Sequence, residues 1–459
     1  MIFSSLTFIY AFFPVSLGLY HLTPTKYKNI MLFILSSIFC GMQSLYFLAF
    51  MLVYSAFNFF IGIAIERTSR FKILSVFMLL IGIVSDALVF LLFKSKLFDK
   101  AIEEMNIITL IVPIGISFFT LSAIGNMIDI FKQKNKAERN FLSFSLFIMF
   151  FPKLPMGPLV NYRRFSSMLK KRENGMLEIG RGMGIFVKGL AKKVLLADNL
   201  YLIYSAVHSM NVSDLSALST WIGTISYMLC LYFSLSGISD MGIGIARCFG
   251  FRLPQSFNYP SFSMGINDFS LRWHIPVLRW FRRYIVRPVY KKTSNVFLVS
   301  ISVISAWILI GLWYDFSLNM LVWGVIMGIS IMIERIFVNP KTLKATSIFY
   351  TFFVISFASA FFFGDNLLYS VHYLLAMIGG NNNIADTVSF YLLKSYVVVL
   401  LIGIYAATDL FRNLTERSGK KTIKSFVRIV SPVASVILLA ICTAVISFSG
   451  ESEMLLLNM

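Results

Sequence analysis

The feature that most constrains this chain is a repeated alternation of long apolar runs with short loops rich in Lys and Arg. A helix needs about 20 apolar residues to cross the hydrocarbon core of a bilayer, and about ten such runs fit into the 459 residues. Hydrophobic residues make up 58% of the chain and charged residues 14%, with a mean hydropathy of +0.78. That is far from soluble globular usage. The expectation is an all-α polytopic membrane protein whose solvent is the lipid bilayer, folded as one embedded unit over residues 1–459.

A net charge of +20 invites a nucleic-acid reading. In a chain this apolar, however, Lys and Arg set topology by collecting in short cytoplasmic loops, so no nucleic-acid partner is expected. Residues Phe3 to Tyr20 lack a basic n-region and a cleavage pattern, and read as a first span rather than a signal peptide. Lys26 and Lys28 follow it, which puts the N-terminus outside. Further spans are expected near 30–42, 45–65, 73–93, 107–131, 219–248, 294–312, 318–338, 346–364, 389–410 and 429–448. The basic loops 163–172, 279–292 and 411–428 then all fall in the cytoplasm. Cys40, Cys230, Cys248 and Cys442 show no C-x-x-C spacing, so neither a disulfide framework nor a metal site is indicated.

Two stretches depart from the simple pattern. Residues 140–160 contain F-F-P-K-L-P-M-G-P-L-V, and three prolines cannot sit in one continuous helix without loss of hydrogen bonds. Such backbone is tolerated at membrane depth only when buried in protein, and a re-entrant segment is expected. Residues 219–248 carry Gly and Ser that permit close helix approach, together with Asp240, a charge in an apolar run. Arg247 lies two helical turns further on, and an ion pair between the two or a place for Asp240 in the wall of a reaction chamber are both open.

The most expensive residues lie between Phe257 and Trp323. The stretch reads F-N-Y-P-S-F-S-M-G-I-N-D-F-S-L-R-W-H-I-P-V-L-R-W-F-R-R-Y, then an apolar run, then G-L-W-Y-D-F-S. Of the chain's four histidines, His21, His208 and His372 sit in ordinary loop, polar or apolar contexts. His274 is flanked by Arg272, Trp273 and Trp280. That cluster suits either a cation-rich, aromatic pocket for a nucleotide or thioester donor, or a lipid-headgroup anchor at the cytoplasmic face.

The same residues resemble the membrane-bound O-acyltransferase family, in particular the branch that O-acetylates alginate and its relative that D-alanylates teichoic acid. In that family Asn-Tyr-Pro precedes Arg-Trp-His-Ile, Trp-Phe-Arg-Asp-Tyr and finally Gly-Leu-Trp-His-Gly. Here Asn258, Tyr259, Pro260, Arg272, Trp273, His274, Ile275, Trp280, Phe281, Arg282, Tyr284, Gly311, Leu312 and Trp313 match. The Phe-Pro-x-Leu-x-x-Gly-Pro element near 151–158, the run 188–200 and the segment 233–241 extend the resemblance. It departs at Arg283, at Pro276 and above all at the last His, whose place is taken by Tyr314 with Asp315 behind it.

The resemblance implies broken or re-entrant helices around a central tunnel, in a multi-pass protein of the bacterial plasma membrane. It implies acyl transfer from a cytoplasmic thioester, acetyl-CoA or an acyl carrier protein, with no bound cofactor. The acceptor would be a cell-envelope polysaccharide or a partner protein, and an extracytoplasmic acyltransferase or polysaccharide-synthesis protein is the implied partner. His274 and Tyr314 would form the catalytic position, with Arg272, Trp273, Asn258, Tyr259, Asp240, Trp313 and Asp315 lining the substrate path. A phenol with a pKa near 10 is a poor base at neutral pH. Three outcomes follow: His274 takes over as base, Asp315 or a partner supplies one, or the chain keeps the fold as a scaffold or acyl conduit. No internal repeat of the kind found in many secondary transporters is present.

Overall fold

A computed structural model describes residues 3–94, 114–173, 175–337, 344–410 and 421–449, and among them the regular structure is helical with no strand. In chain order the helices are α1 (Phe13–Leu22), α2 (Lys28–Gly41), α3 (Leu45–Arg67), α4 (Lys72–Lys94), α5 (Ile116–Phe131), α6 (Phe141–Met149), α7 (Tyr162–Lys170), α8 (Met176–Ala191), α9 (Asp198–His208) and α10 (Ala217–Cys248). They continue with α11 (Ile266–Arg272), α12 (Ile275–Phe281), α13 (Arg287–Lys292), α14 (Val296–Tyr314), α15 (Leu318–Phe337), α16 (Lys344–Phe363), α17 (Leu367–Met377), α18 (Thr387–Ala406) and α19 (Lys421–Ser449).

Among the described residues eight helices are long and apolar enough to cross a membrane: α3, α4, α10, α14, α15, α16, α18 and α19. The runs expected over 30–42 and 107–131 form the shorter helices α2 and α5, and residues 107–113 lie outside the described residues. So does most of the basic loop expected over 411–428. The chain forms two compact units, Met1–Phe186 with Ile238–Gln255 and Val187–Gly237 with Ser256–Met459.

The core of the first unit is aromatic, with Phe3, Phe8, Phe39, Phe147, Phe150, Phe151 and Phe165 fully buried. Helix α6 starts on the Asn140 side chain, which accepts from the Ser143 N–H at 3.1 Å, and stops at Met149. Pro152 cannot continue an α-helical ladder, and a 3-10 turn over Phe151–Lys153 follows. The irregular backbone expected over 140–160 is therefore present and buried in protein, as the polar peptide groups require. Lys153 is buried with it, donating to the Phe147 carbonyl and lying 4.3 Å from the Phe147 ring centroid.

Arg247 finds a different partner from the one its sequence position suggests. Its Nε donates to Glu178 of α8 at 2.8 Å, and Arg181 joins the same carboxylate at 2.7 Å. Residues seven apart on one helix share a face but are about 10 Å apart along the axis, beyond ion-pair reach. Arg247 therefore pairs with a carboxylate brought alongside by another helix, and the expected pairing with Asp240 is corrected accordingly.

The second unit is organised around the α14–α15 hairpin. Asn295 caps α14 by accepting from the Phe297 N–H at 2.9 Å. The chain turns over residues 315–317, and Trp313 and Tyr314 still belong to the last turn of α14. The two helices touch through backbone: a Cβ on Gly311 would overlap the Met320 carbonyl oxygen, and one on Gly324 that of Trp307. Only glycine permits so close an approach.

Candidate active site

The site lies within the second unit and is built on a break between two short helices. Gly265 precedes α11 with φ of 113°, a conformation open to glycine. Its N–H donates to Thr351 Oγ1 at 2.7 Å, and the next two N–H groups, of Ile266 and Asn267, donate to the buried carboxylate of Glu334 on α15. A helix start leaves such N–H groups without intrahelical partners, so one carboxylate fixes where α11 begins. Arg282 Nη2 donates to Ser270 Oγ at 3.0 Å and ties the π-helical stretch Arg282–Val286, which follows α12, back onto α11.

Between α11 and α12 stands His274, with φ of 36° and ψ of 50°. A left-handed backbone is uncommon for a side chain of this size, and strain of this kind collects at functional sites. The bond from Ile275 N–H to Ser256 O at 2.7 Å, and that from Asn258 N–H to Arg272 O at 2.9 Å, hold the break in place. The imidazole is 2% exposed. Phe257 stacks on it at 5.4 Å and 18°, and Trp313 lies 5.7 Å away.

The second half of the site comes from the end of α14. Tyr314 is 5% exposed, and its hydroxyl lies 2.9 Å from His274 Nδ1 while accepting from Trp273 Nε1 at 3.2 Å. Trp323 and Phe362 enclose its ring, at 5.9 Å and 5.2 Å. Burial pushes the His274 imidazole down to about 3, so it is neutral at pH 7. Nδ1 accepts the Tyr314 proton when Nε2 carries the ring hydrogen, and donates to the phenol in the other tautomer. In the first case the phenolic oxygen gives its proton to histidine and receives one from tryptophan, an arrangement that lets a proton move while an N–H stays on the oxygen it leaves.

Of the other residues the sequence singles out, Trp273 and Trp313 join this cluster, Asn258 and Tyr259 directly follow Phe257, which stacks on His274, and Arg272, Asp315 and Asp240 are placed otherwise. Arg272 turns to Asp268, with Nε to Oδ1 at 3.0 Å. Asn258 and Tyr259 are half-buried in the segment before α11, Tyr259 with φ of 49°. Asp315 occupies the C-cap of α14, and no hydrogen bond joins it to His274 or Tyr314 among the described residues. Asp240 belongs to the first unit. Trp280 packs on Phe281 and Tyr284.

Sequence reasoning did not single out Phe257, Phe362 or Glu334. A carboxylate near the end of an apolar run was the available signal for Glu334, whereas contacts between distant aromatic rings leave no local mark. A cavity of about 660 Å³ opens in the same unit, with Leu278, Phe281, Trp307 and Ile310 among its apolar walls and Arg282 and Arg335 among its charged ones. Neither arginine forms an ion pair with a carboxylate among the described residues. Trp307 lies 5.6 Å from Trp323, which in turn touches Tyr314, so cavity wall and buried phenol share one aromatic cluster.

The family profile described as MBOAT, membrane-bound O-acyltransferase family, matches residues 128–369, a range that contains the whole His274–Tyr314 site. The "Probable alginate O-acetylase AlgI" of Azotobacter vinelandii is 30% identical over 88% of this chain and 85% of its own length. The "Peptidoglycan O-acetyltransferase" of Helicobacter pylori is 29% identical over 83% and 80%, and the "Teichoic acid D-alanyltransferase" of Bacillus subtilis 25% over 46% and 56%. With helices fit to cross a membrane, a motif-bearing site at a strained histidine and these relatives, the chain belongs to the membrane-bound O-acyltransferase family and is a multi-pass membrane protein of the acyltransferase class.

Proposed function

We infer that the chain takes an acyl group, acetyl in the first instance, from a thioester donor on the cytoplasmic side and passes it to a cell-envelope polysaccharide or to a partner protein. His274 serves as base through the hydroxyl of Tyr314. The observation that carries this reading is the 2.9 Å contact between His274 Nδ1 and the Tyr314 hydroxyl inside a buried aromatic shell. An acceptor hydroxyl attacks the thioester carbonyl while the phenolic oxygen of Tyr314 takes its proton and hands its own to Nδ1. The Trp273 N–H holds charge on the phenolic oxygen during the transfer. Collapse of the tetrahedral intermediate releases the thiolate, which recovers the proton from the imidazolium.

The cavity supports a donor carried on a phosphate-bearing arm, as in acetyl-CoA or an acyl carrier protein. Arg282 and Arg335 suit the phosphate, and the apolar walls suit the arm and the acyl group. We read 1–459 as a single functional domain with the acceptor arriving from the other face, delivered by an extracytoplasmic acyltransferase or polysaccharide-synthesis partner. A second reading, a scaffold or acyl conduit without chemistry of its own, is favoured by one observation: the proton-accepting group is a histidine that burial makes a weak base, paired with a phenol.

Purified protein given radiolabelled acetyl-CoA or acetylated carrier protein, with acceptor oligosaccharide, separates the two. The enzyme reading expects transfer that His274→Ala abolishes, that Tyr314→Phe lowers and that Tyr314→His raises. No transfer from either donor, with a cell-envelope phenotype that survives His274→Ala, would establish the scaffold.

A further inference from the structure

The α3–α4 hairpin of the first unit carries a buried acid that acyl transfer does not use. Helix α4 exposes Phe77, Leu80, Val84 and Leu88, the surface a hydrocarbon solvent favours, and turns Ser75, Gly82 and Asp86 inward. Asp86 is 0% exposed. Facing it, α3 turns in Tyr54, Ser55 and Asn58, the last 1% exposed. Asn58 Nδ2 donates to Asp86 Oδ1 at 3.1 Å and to the Tyr54 carbonyl at 3.2 Å, and the Tyr54 hydroxyl lies beside both side chains.

Four buried oxygens here make no hydrogen bond: Asp86 Oδ2, Asn58 Oδ1, Tyr54 Oη and Ser55 Oγ. The two hydroxyls carry hydrogens of their own, but an ionised Asp86 Oδ2 and the amide Oδ1 of Asn58 only accept. They are the remaining atoms of two groups already joined by the Asn58 Nδ2 bond. An ionised carboxylate at this depth is costly without a counter-charge, and no Lys, Arg or His pairs with Asp86 among the described residues. Of the other titratable groups on these helices, Asp129 of α5 pairs with Lys134 at 3.7 Å and Glu66 of α3 with Arg139 at 2.5 Å, Arg67, Lys72 and Lys94 stand at helix ends, Tyr46 is exposed, and Tyr54 is the phenol already named. Helix α5 itself presents Phe119 to Tyr54 and Met127 to Gly82.

The geometry points to Asp86 as a proton-binding site at membrane depth, a neutral carboxylic acid whose added O–H on Oδ2 is given to the Asn58 amide oxygen. One hydrogen then serves two acceptors and closes a reciprocal acid–amide pair. A metal ion among these oxygens would face the Asn58 N–H group that already donates to Asp86. Infrared difference spectra of the purified full chain in lipid nanodiscs at pH 7, wild type against Asp86→Asn, test this. The expected result is a carboxylic-acid C=O band in the wild type that Asp86→Asn removes. Asp86→Asn, which presents an amide in place of the acid, should keep the melting temperature within about 2 °C, and Asp86→Ala should lower it by about 5 °C or more. A carboxylate band for Asp86 at pH 7 overturns the proposal. So does a melting temperature that rises with Na⁺ over K⁺ in the wild type and not in Asp86→Asn, since that would assign the site to a metal cation.

Discussion

The α3–α4 and α14–α15 hairpins are both pairs of consecutive apolar helices with a short connection, and both bury a polar side chain, yet they close differently. In α14–α15 backbone meets backbone at Gly311 and Gly324. In α3–α4 the inward glycine, Gly82, faces side chains instead of backbone: the sulfur of the unbranched Met127 and the Cγ2 methyl of Ile61. The polar residues differ in the same sense. Asp86 sits in mid-helix and meets Asn58 from another regular helix, so both are held by intact hydrogen-bond ladders. Tyr314 sits at a helix end and meets His274, whose left-handed backbone places its ring where no regular helix would. A polar pair between two regular helices fixes register; one between a rigid hairpin end and a strained break sets groups for chemistry.

The largest effect that would break this contrast is on activity. His274→Ala should reduce acyl transfer by about 10²- to 10⁴-fold, the usual cost of losing a positioned base, with folded yield maintained. Equal loss of folded yield would mean that His274 is structural like Asp86. Tyr314→Phe keeps the ring and removes the hydroxyl through which His274 acts, so a fall in transfer of about 10²- to 10⁴-fold, comparable to that of His274→Ala, is expected, read by initial rates at saturating donor.

The glycines sharpen the packing half of the comparison. Gly311→Ala should destabilise by about 1–3 kcal/mol, as overpacking against fixed backbone does, whereas Gly82→Ala should cost less than Gly311→Ala, because the nearer of its two obstacles, the Met127 sulfur, sits on an unbranched side chain. Thermal unfolding in detergent measures both, and a larger loss at Gly82 would reverse the ranking of the two interfaces.

The last test is a pH slope. Burial lowers the folded-state pKa of His274 to about 3 from 6.5, so on acidification the unfolded chain takes up this proton first. Its contribution is complete above pH 6.5 and is lost as the pH falls towards 3, by up to about 1.4 kcal/mol per pH unit. Unfolding curves of His274→Gln should lack that component between pH 6 and about 4. An unchanged slope would show that His274 is not buried neutral.

Much of the site was legible because its residues are local in sequence: Arg272, Trp273 and His274 are consecutive, and Trp313 and Tyr314 adjoin a visible polar turn. Arg272 shows the limit, since a neighbour in sequence turned its guanidinium to Asp268 instead of to the histidine. Asp86 was equally visible as a carboxylate in an apolar run, but only its packing against Asn58 gives it meaning.

By itself the sequence determined the helical membrane class, the position of most spans, the proline-broken stretch after Met149 and the family, because each rests on local hydropathy, proline geometry or motif order. Tertiary structure decided the pairings: Arg247 with Glu178 instead of Asp240, Glu334 with the start of α11, Phe257 against His274, and the hydroxyl of Tyr314 on Nδ1. The physical reason is that hydrogen bonds and ion pairs act over about 3 Å. Three of these pairs are 40 or more positions apart and reach that distance only when two helices, a strained break and the glycines between them are already in place.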